Sequence, residues 1–199
     1  VLKSISLYCN KIGLKYLTVY AFSTENWKRS EEEVGGLMRL FKKYLKDVIS
    51  EIFKLENIKI EFIGNISVLP REIKELISKI EKESSKNTGM TLTIAFNYGG
   101  REEIRSAVES LVQDTVSGKI ALQDISEMEL SKRMYAPSHP DIDLIIRTAG
   151  EQRISNFMLW ESAYAEFYFT DVLWPDFNEA ELHKAFEEYS SRTRRFGGV

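Results

Sequence analysis

The sequence predicts an α/β protein: one domain over residues 1–199, built on an open, mostly parallel β-sheet with helices on both faces. Three observations carry this expectation. Strand-like and helix-like segments alternate along the whole chain, and parallel neighbours need crossover connections that place helices on the sheet faces. One long segment is amphipathic at helical spacing. No repeat, linker or low-complexity stretch divides the chain.

In chain order, Val1, Ile5, Tyr8 and Ile12 fall near 3.6-residue spacing, and Gly13 is a stop signal. No Ser, Thr, Asp or Asn caps the start. The chain is therefore expected to begin inside a helix, with sequence missing upstream. Tyr16–Phe22 is a β-branched and aromatic run that predicts a strand. From Glu31 to Glu56 the apolar positions Val34, Leu37, Met38, Phe41, Tyr44, Leu45, Val48, Ile49, Ile52 and Phe53 predict a helix. Ile58–Ile63 is a second strand, closed by Gly64-Asn65. Pro70 opens a helix to about Ser84. Asn87-Thr88-Gly89 is a turn, and Met90–Phe96 a strand. Helices are expected over Arg101–Ser117 and, shorter, Ser126–Tyr135. A loop lies between Pro137 and Pro140, followed by a strand at Ile142–Ile146. Ser155–Tyr164 is a short apolar helix, Glu166–Thr170 a strand and Asn178–Ser191 the last helix, with a tail from Arg192 to Val199.

Composition narrows the function classes. Lys plus Arg is 27 and Asp plus Glu 30, a net charge of −3, with 43% apolar and 29% charged residues. That balance is of a folded soluble protein with no general reason to bind nucleic acid. No apolar run approaches the roughly 20 residues a membrane span needs. The one cysteine, Cys9, cannot form an internal disulfide and is expected to be buried. His139 and His183 are too isolated for a metal site. The expected compartment is the cytoplasm.

In open parallel sheets, ligands bind beyond the carboxyl ends of the strands. Three polar segments follow strands and should share that rim: 23–29, 97–101 and 147–155. Arg147 and Arg153 offer guanidinium forks that match phosphate oxygens. Ser155 would sit at a helix start, where free N–H groups attract anions. The same residues could instead be arginines bonding carboxylates and a plain serine cap. Glu166 opens an apolar strand, where a carboxylate needs a partner or a cation. With phosphates nearby that cation is Mg²⁺; a salt bridge at a strand end is the plainer alternative. Asn97-Tyr98-Gly99-Gly100-Arg101 is a strand–turn–helix junction, either a structural turn or a ligand contact, and it is not a nucleotide-binding motif. Phe22, Trp27 and Tyr98 would put aromatic surface on the rim. The 31–56 helix is either core or one wall of an apolar tunnel. The tail residues Arg192, Arg194 and Arg195 with Gly197-Gly198 are a solvated end or an anion nest.

At these residues the sequence resembles the cis-prenyltransferases of the bacterial undecaprenyl diphosphate synthase type. The likeness rests on Tyr20–Trp27 with Arg29, Asn97–Arg101, Asp143–Phe157 with Trp160, Ala165–Asp171, Trp174–Phe177 and Arg195–Gly197. Together these span nearly the whole chain. The resemblance implies condensation of isopentenyl diphosphate with an allylic diphosphate such as farnesyl diphosphate, in cis geometry, to a long polyprenyl diphosphate for the cell-wall carrier lipid. It implies that Arg147, Arg153 and Ser155 hold the diphosphate of isopentenyl diphosphate and that Glu166 helps bind Mg²⁺. Phe22, Ser23, Asn26, Trp27 and Arg29 would line the meeting point of the two substrates. Asn26 would lie near the leaving diphosphate and the departing proton. Glu33 follows this motif without a clear role. The resemblance also implies a homodimer in which Arg195 and Gly197 reach the partner's site, and peripheral membrane contact for a lipid product.

Two departures stand out. Ala149 replaces the second of the family's paired glycines, which matters only if the backbone there needs positive φ. The family's first motif, with its catalytic Asp, is absent and is expected upstream of Val1, so the chain as given should be inactive alone. The competing expectations are a non-catalytic partner subunit of the same family and an unrelated α/β module for a phosphorylated metabolite.

Overall fold

The computed structural model describes residues 1–46 and 56–193. The expected helix–strand alternation is present, and every strand pair is parallel. Helix α1 (Leu2–Lys11) buries Ile5, Ser6 and Cys9 and ends at Gly13, whose φ is +84°. Burial pushes the Cys9 thiol up to about 11, which leaves it an inert apolar filler. Strand β1 (Tyr16–Ser23) pairs with β3 (Thr91–Tyr98), which also pairs with β2 (Lys59–Ile63), giving the order β1-β3-β2. β3 is central and buried from Leu92 to Tyr98.

The register sorts the side chains by face. Val19, Ile94 and Phe62 are aligned across the three strands, as are Tyr20, Ala95 and Ile63 one residue on. The first row faces the main core, with Ile5 of α1, Phe41 and the helix after β2. The second row faces a smaller cluster with Tyr98, Phe157 and Met158. Each fully buried Ile or Leu contributes roughly 1.5–3 kcal/mol.

Helix α2 (Glu31–Tyr44) starts at Ser30, whose hydroxyl and the Glu33 carboxylate cap one another's backbone N–H groups. Residues 47–55 of the expected 31–56 helix lie outside the described residues. Phe41 of α2 is buried and stacks on Phe96 with ring centroids 3.5 Å apart, and Leu37, Met38 and Tyr44 pack partly buried against the same core. Helix α3 (Arg71–Ser84) follows Pro70 and buries Ile73, Ile77 and Ile80, and Ser84 accepts from Ile60 N at 3.0 Å.

Helix α4 (Gly100–Val116) buries Glu103, Ala107 and Leu111. The expected 126–135 helix is only α5 (Glu127–Ser131). There Arg133 donates back to the Glu129 carbonyl at 2.6 Å, and the chain turns so that Tyr135 N reaches the Glu103 carboxylate at 2.8 Å. Strands β4 (Leu144–Arg147) and β5 (Glu166–Phe169) form a separate two-stranded ladder rather than extending the first sheet. It belongs to the same body, since Ile146 packs on the main core and Ile142 on the smaller cluster. Helix α6 (Glu179–Ser191) is capped by Asn178, which accepts from Ala180 N and Glu181 N.

Candidate active site

Because β1 and β3 are parallel, their carboxyl ends, Ser23 and Tyr98, stand side by side. The register slips between Tyr20 and Phe22 and again before Ser23, a bulge of the kind that re-aims side chains beside sites. Phe22 is buried, stacked on Phe96 at 5.2 Å and edge-on to Trp27 at 5.3 Å. The chain then enters a short 3-10 turn, Thr24–Lys28. Asn26 closes it: its Oδ1 accepts from Ser23 N at 2.8 Å. Trp27 is 41% exposed and donates Nε1 to Asn97 Oδ1 at 2.6 Å. Of the three aromatics expected on the rim, only Trp27 offers surface, pinned to the end of β3; Phe22 lies buried beneath it and Tyr98 is buried in the smaller cluster. Asn97 itself, at φ +50°, also donates Nδ2 to Asn65 O at 2.7 Å. Arg29 is exposed and stands 3.8 Å from Glu33, whose observed work is to cap α2.

The second arm leaves β4. Arg147 is half-buried, and its Nε is buried without a hydrogen-bond partner among the described residues. An unmet buried donor costs about 1–3 kcal/mol, a cost an anion would remove. Ala149 and Gly150 follow, both at φ +68°, with N–H groups bonded at 2.9 Å to the Val172 and Thr170 carbonyls. The alanine does stand where glycine is favoured. A left-handed non-glycine residue costs about 1–2 kcal/mol, of which glycine's extra unfolded freedom returns roughly 0.5–1. Ala149→Gly is therefore expected to raise stability by about 0.5 kcal/mol; a lower Tm for that variant in thermal unfolding would contradict this.

Arg153 is exposed and paired with Glu151, and Ser155 is exposed. The expected helix from Ser155 to Tyr164 is not formed. Ser155, Asn156 and Met158 have φ of +49°, +62° and +47°, and the segment is a run of turns. Phe157 and Met158 both join the smaller cluster, Phe157 stacked on Tyr20 at 4.6 Å, while Trp160 Nε1 donates to Ser131 Oγ at 2.9 Å. Left-handed residues at 155, 156 and 158 interrupt a right-handed helix. Ser155 thus has no helix N-terminus behind it, and of the expected anion donors its hydroxyl and the two arginines are what the segment offers.

Asn156 joins this arm to the Thr24–Lys28 turn, since its Nδ2 donates to Glu25 Oε1 at 2.8 Å. Burial works to raise the Glu25 carboxyl, but bonds from Asn156, its own backbone and the Ser23 and Thr24 hydroxyls outweigh it and hold it low. Of the expected rim segments, 23–29 and 97–101 meet through Trp27 and Asn97, and the third, expected over 147–155, is tied to both through Asn156, one residue beyond it. Sequence reasoning passed over Asn97, Asn156 and Glu25 as site-building residues, although all three lie inside the motifs it singled out.

Glu166 is elsewhere. It pairs with Leu144, whereas Arg147 pairs with Phe169, so Glu166 lies at the opposite end of the β4–β5 ladder. Its Oε2 accepts from Arg192 Nη1 at 2.6 Å, and Arg192 also bonds Glu188 and the Phe167 carbonyl. Among the described residues no group of three or more His, Cys, Asp or Glu side chains could hold a metal ion. The salt bridge that the sequence left open as the plainer alternative for Glu166 is present, with Arg192 as its partner. Arg195 and Gly197 lie outside the described residues.

Comparisons with known proteins give the chain's relatives. Residues 1–197 match the model of the family described as "Putative undecaprenyl diphosphate synthase". An isoprenyl transferase of Clostridium perfringens is 46% identical over 198 residues, covering 100% of this chain and 78% of the relative. The ditrans,polycis-undecaprenyl-diphosphate synthase ((2E,6E)-farnesyl-diphosphate specific) of Micrococcus luteus is 45% identical, covering 99% of this chain and 79% of its own. Lavandulyl diphosphate synthase from Lavandula x intermedia, solved with dimethylallyl diphosphate, superposes with TM-score 0.95 at 38% identity over 99% of this chain and 85% of that one. A "probable undecaprenyl diphosphate synthase" from Campylobacter jejuni superposes at 0.86 with 29% identity, over 99% and 89%. Matched by the family model over residues 1–197 and by relatives over its whole length, the chain belongs to the undecaprenyl diphosphate synthase family of cis-prenyltransferases.

Proposed function

We propose that the protein condenses isopentenyl diphosphate with an allylic diphosphate, in cis geometry, and repeats the step to build a long polyprenyl diphosphate. The observation that supports this reading is a polar arm, with Arg147 and its unmet Nε and the exposed Arg153 and Ser155, tied through Asn156 to the turn that exposes Trp27 over buried Phe22. One arm suits a diphosphate and the other an isoprenoid chain. Arg147 and Arg153 bind phosphate oxygens as forks, and the Ser155 hydroxyl donates a further bond. Asn26 spends Oδ1 on Ser23 N, and among the described residues no bond uses its Nδ2, which is left to face a diphosphate oxygen. Trp27, with Phe22 buried beneath it, shields the reacting carbons from water. In the condensation a carbon–carbon bond forms to the allylic carbon, diphosphate leaves that carbon, and the isopentenyl unit loses a proton.

Magnesium is part of the proposal as the ion a diphosphate carries, and it neutralises charge on the leaving group. No step is assigned to Glu166. The homodimer and peripheral membrane contact belong to the same reading. Among the described residues no helix is long and apolar enough to cross a membrane, and sedimentation of the full-length protein would read the oligomeric state. The test of function is product analysis of the full-length protein with farnesyl diphosphate, labelled isopentenyl diphosphate and magnesium. A ladder of polyprenyl diphosphates is expected. No labelled lipid, or only a single branched short product, would overturn the elongation reading.

A further inference from the structure

Asn156 is bonded to two other parts of the rim at once. Its main-chain carbonyl accepts from Gly100 N at 2.7 Å, its Oδ1 accepts from Arg101 N at 2.9 Å, and its Nδ2 donates to Glu25 Oε1 at 2.8 Å. Gly100 and Arg101 open α4 directly after β3. Glu25 sits in the turn that carries Asn26 and Trp27, and Asn156 follows Ser155 in the diphosphate arm. The left-handed backbone of Asn156, φ +62°, turns the chain there, a conformation asparagine tolerates better than most residues. The approach is close. A Cβ on Gly99 would stand 2.8 Å from Asn156 Nδ2 and 2.5 Å from Thr24 Oγ1, so glycine is required for the three segments to meet.

We propose that Asn156 is a positioning residue for the condensation. Through Glu25 it fixes the spacing between the aromatic turn 24–28 and the diphosphate arm 153–155, and hence between the allylic and isopentenyl substrates. This rests on the functional reading above. Both side-chain atoms are needed. Oδ1 anchors the arm to α4, and Nδ2 sets the distance to the turn. Reacting atoms must lie within about 3–3.5 Å, and a 1 Å misplacement costs about a hundredfold in rate.

The test exchanges the two ends of the Asn156–Glu25 bond in the full-length protein. Asn156→Asp keeps the acceptor for Arg101 N but sets a second carboxylate against Glu25. Its kcat is expected to fall at least tenfold, with KM for isopentenyl diphosphate within about threefold of the parent. Adding Glu25→Gln restores a bond of reversed polarity, from an amide at 25 to a carboxylate at 156, and is expected to return kcat to within about threefold. Asn156→Asp alone should also recover relative to the parent as pH falls, because two carboxylates in contact share a proton. A merely structural role would lower Tm and kcat together without rescue by Glu25→Gln and without the altered pH profile, and that result overturns the proposal. Product from the parent protein with no rescue refutes the role of Asn156 alone, whereas a parent that makes no prenyl product refutes the functional reading beneath it.

Discussion

Arg153→Ala in the full-length protein is expected to lower prenyl transfer by about two to three orders of magnitude while leaving the unfolding midpoint nearly unchanged. The two halves of that expectation have separate causes. Arg153 is exposed, and its recorded partner is Glu151, itself more than a third exposed. Exposed ion pairs contribute about 0–1 kcal/mol, so folding loses little. Substrate loses a charge-assisted fork to phosphate, and removing one donor to developing charge typically costs about 10²–10³ in rate. Arg147→Ala should cost turnover similarly, yet for stability it differs. It removes a buried Nε that has no partner among the described residues, so stability is expected to stay level or rise. Arg147→Lys should not restore turnover, because an ammonium lacks the planar fork. Steady-state kinetics beside thermal unfolding checks all three. Full activity in Arg153→Ala would remove it from the site.

The fold was legible wherever a segment serves one neighbour. β3 reads as a buried strand because nearly every residue in it is buried, and α3 reads as a helix because Ile73, Ile77 and Ile80 point one way. The 155–164 segment reads as a short apolar helix, and periodicity does not disclose the left-handed backbone at 155, 156 and 158 that breaks it. The separate β4–β5 ladder was likewise invisible, since alternation predicts parallel pairing but not which strands pair. In the site, arginines and aromatics announced themselves by chemistry. Asn97 and Asn156 did not, because their work is done by amides bonded to backbone atoms in distant segments. Glu166 calls for a partner or a cation by its chemistry, and the sequence does not disclose that Arg192, from the far end of the chain, is such a partner.

The second large effect concerns a residue that the proposed chemistry does not use. Glu161 is 8% exposed, and neither carboxylate oxygen has a hydrogen-bond partner among the described residues. Burial pushes its carboxyl up to about 7, the charge of Glu103 on α4 and that of Asp141 add to this, and its own backbone and His139 oppose it. Those neighbours are themselves engaged: Glu103 accepts from Tyr98 and Tyr135, and His139 bonds Glu61 at 2.6 Å. The folded state thus holds a proton on Glu161 that the unfolded chain releases above its ordinary value of 4.5. Between pH 4.5 and about 7 the native state binds more protons than the unfolded one, so stability falls as pH rises through that window. The full penalty is at most about 3 kcal/mol. Glu161→Gln stays neutral at every pH. It is expected to match the parent near pH 5 and to exceed it by up to about 3 kcal/mol at pH 8, roughly 6–10 °C in Tm for a chain of this size. Glu103, also raised by burial, leaves both proteins some decline over the same range. Glu61, held down at about 2 by His139, titrates well below it and does not contribute. Thermal unfolding of both proteins from pH 5 to 8 reads the difference directly, and equal offsets at the two ends would mean that Glu161 is ionised in the folded protein throughout.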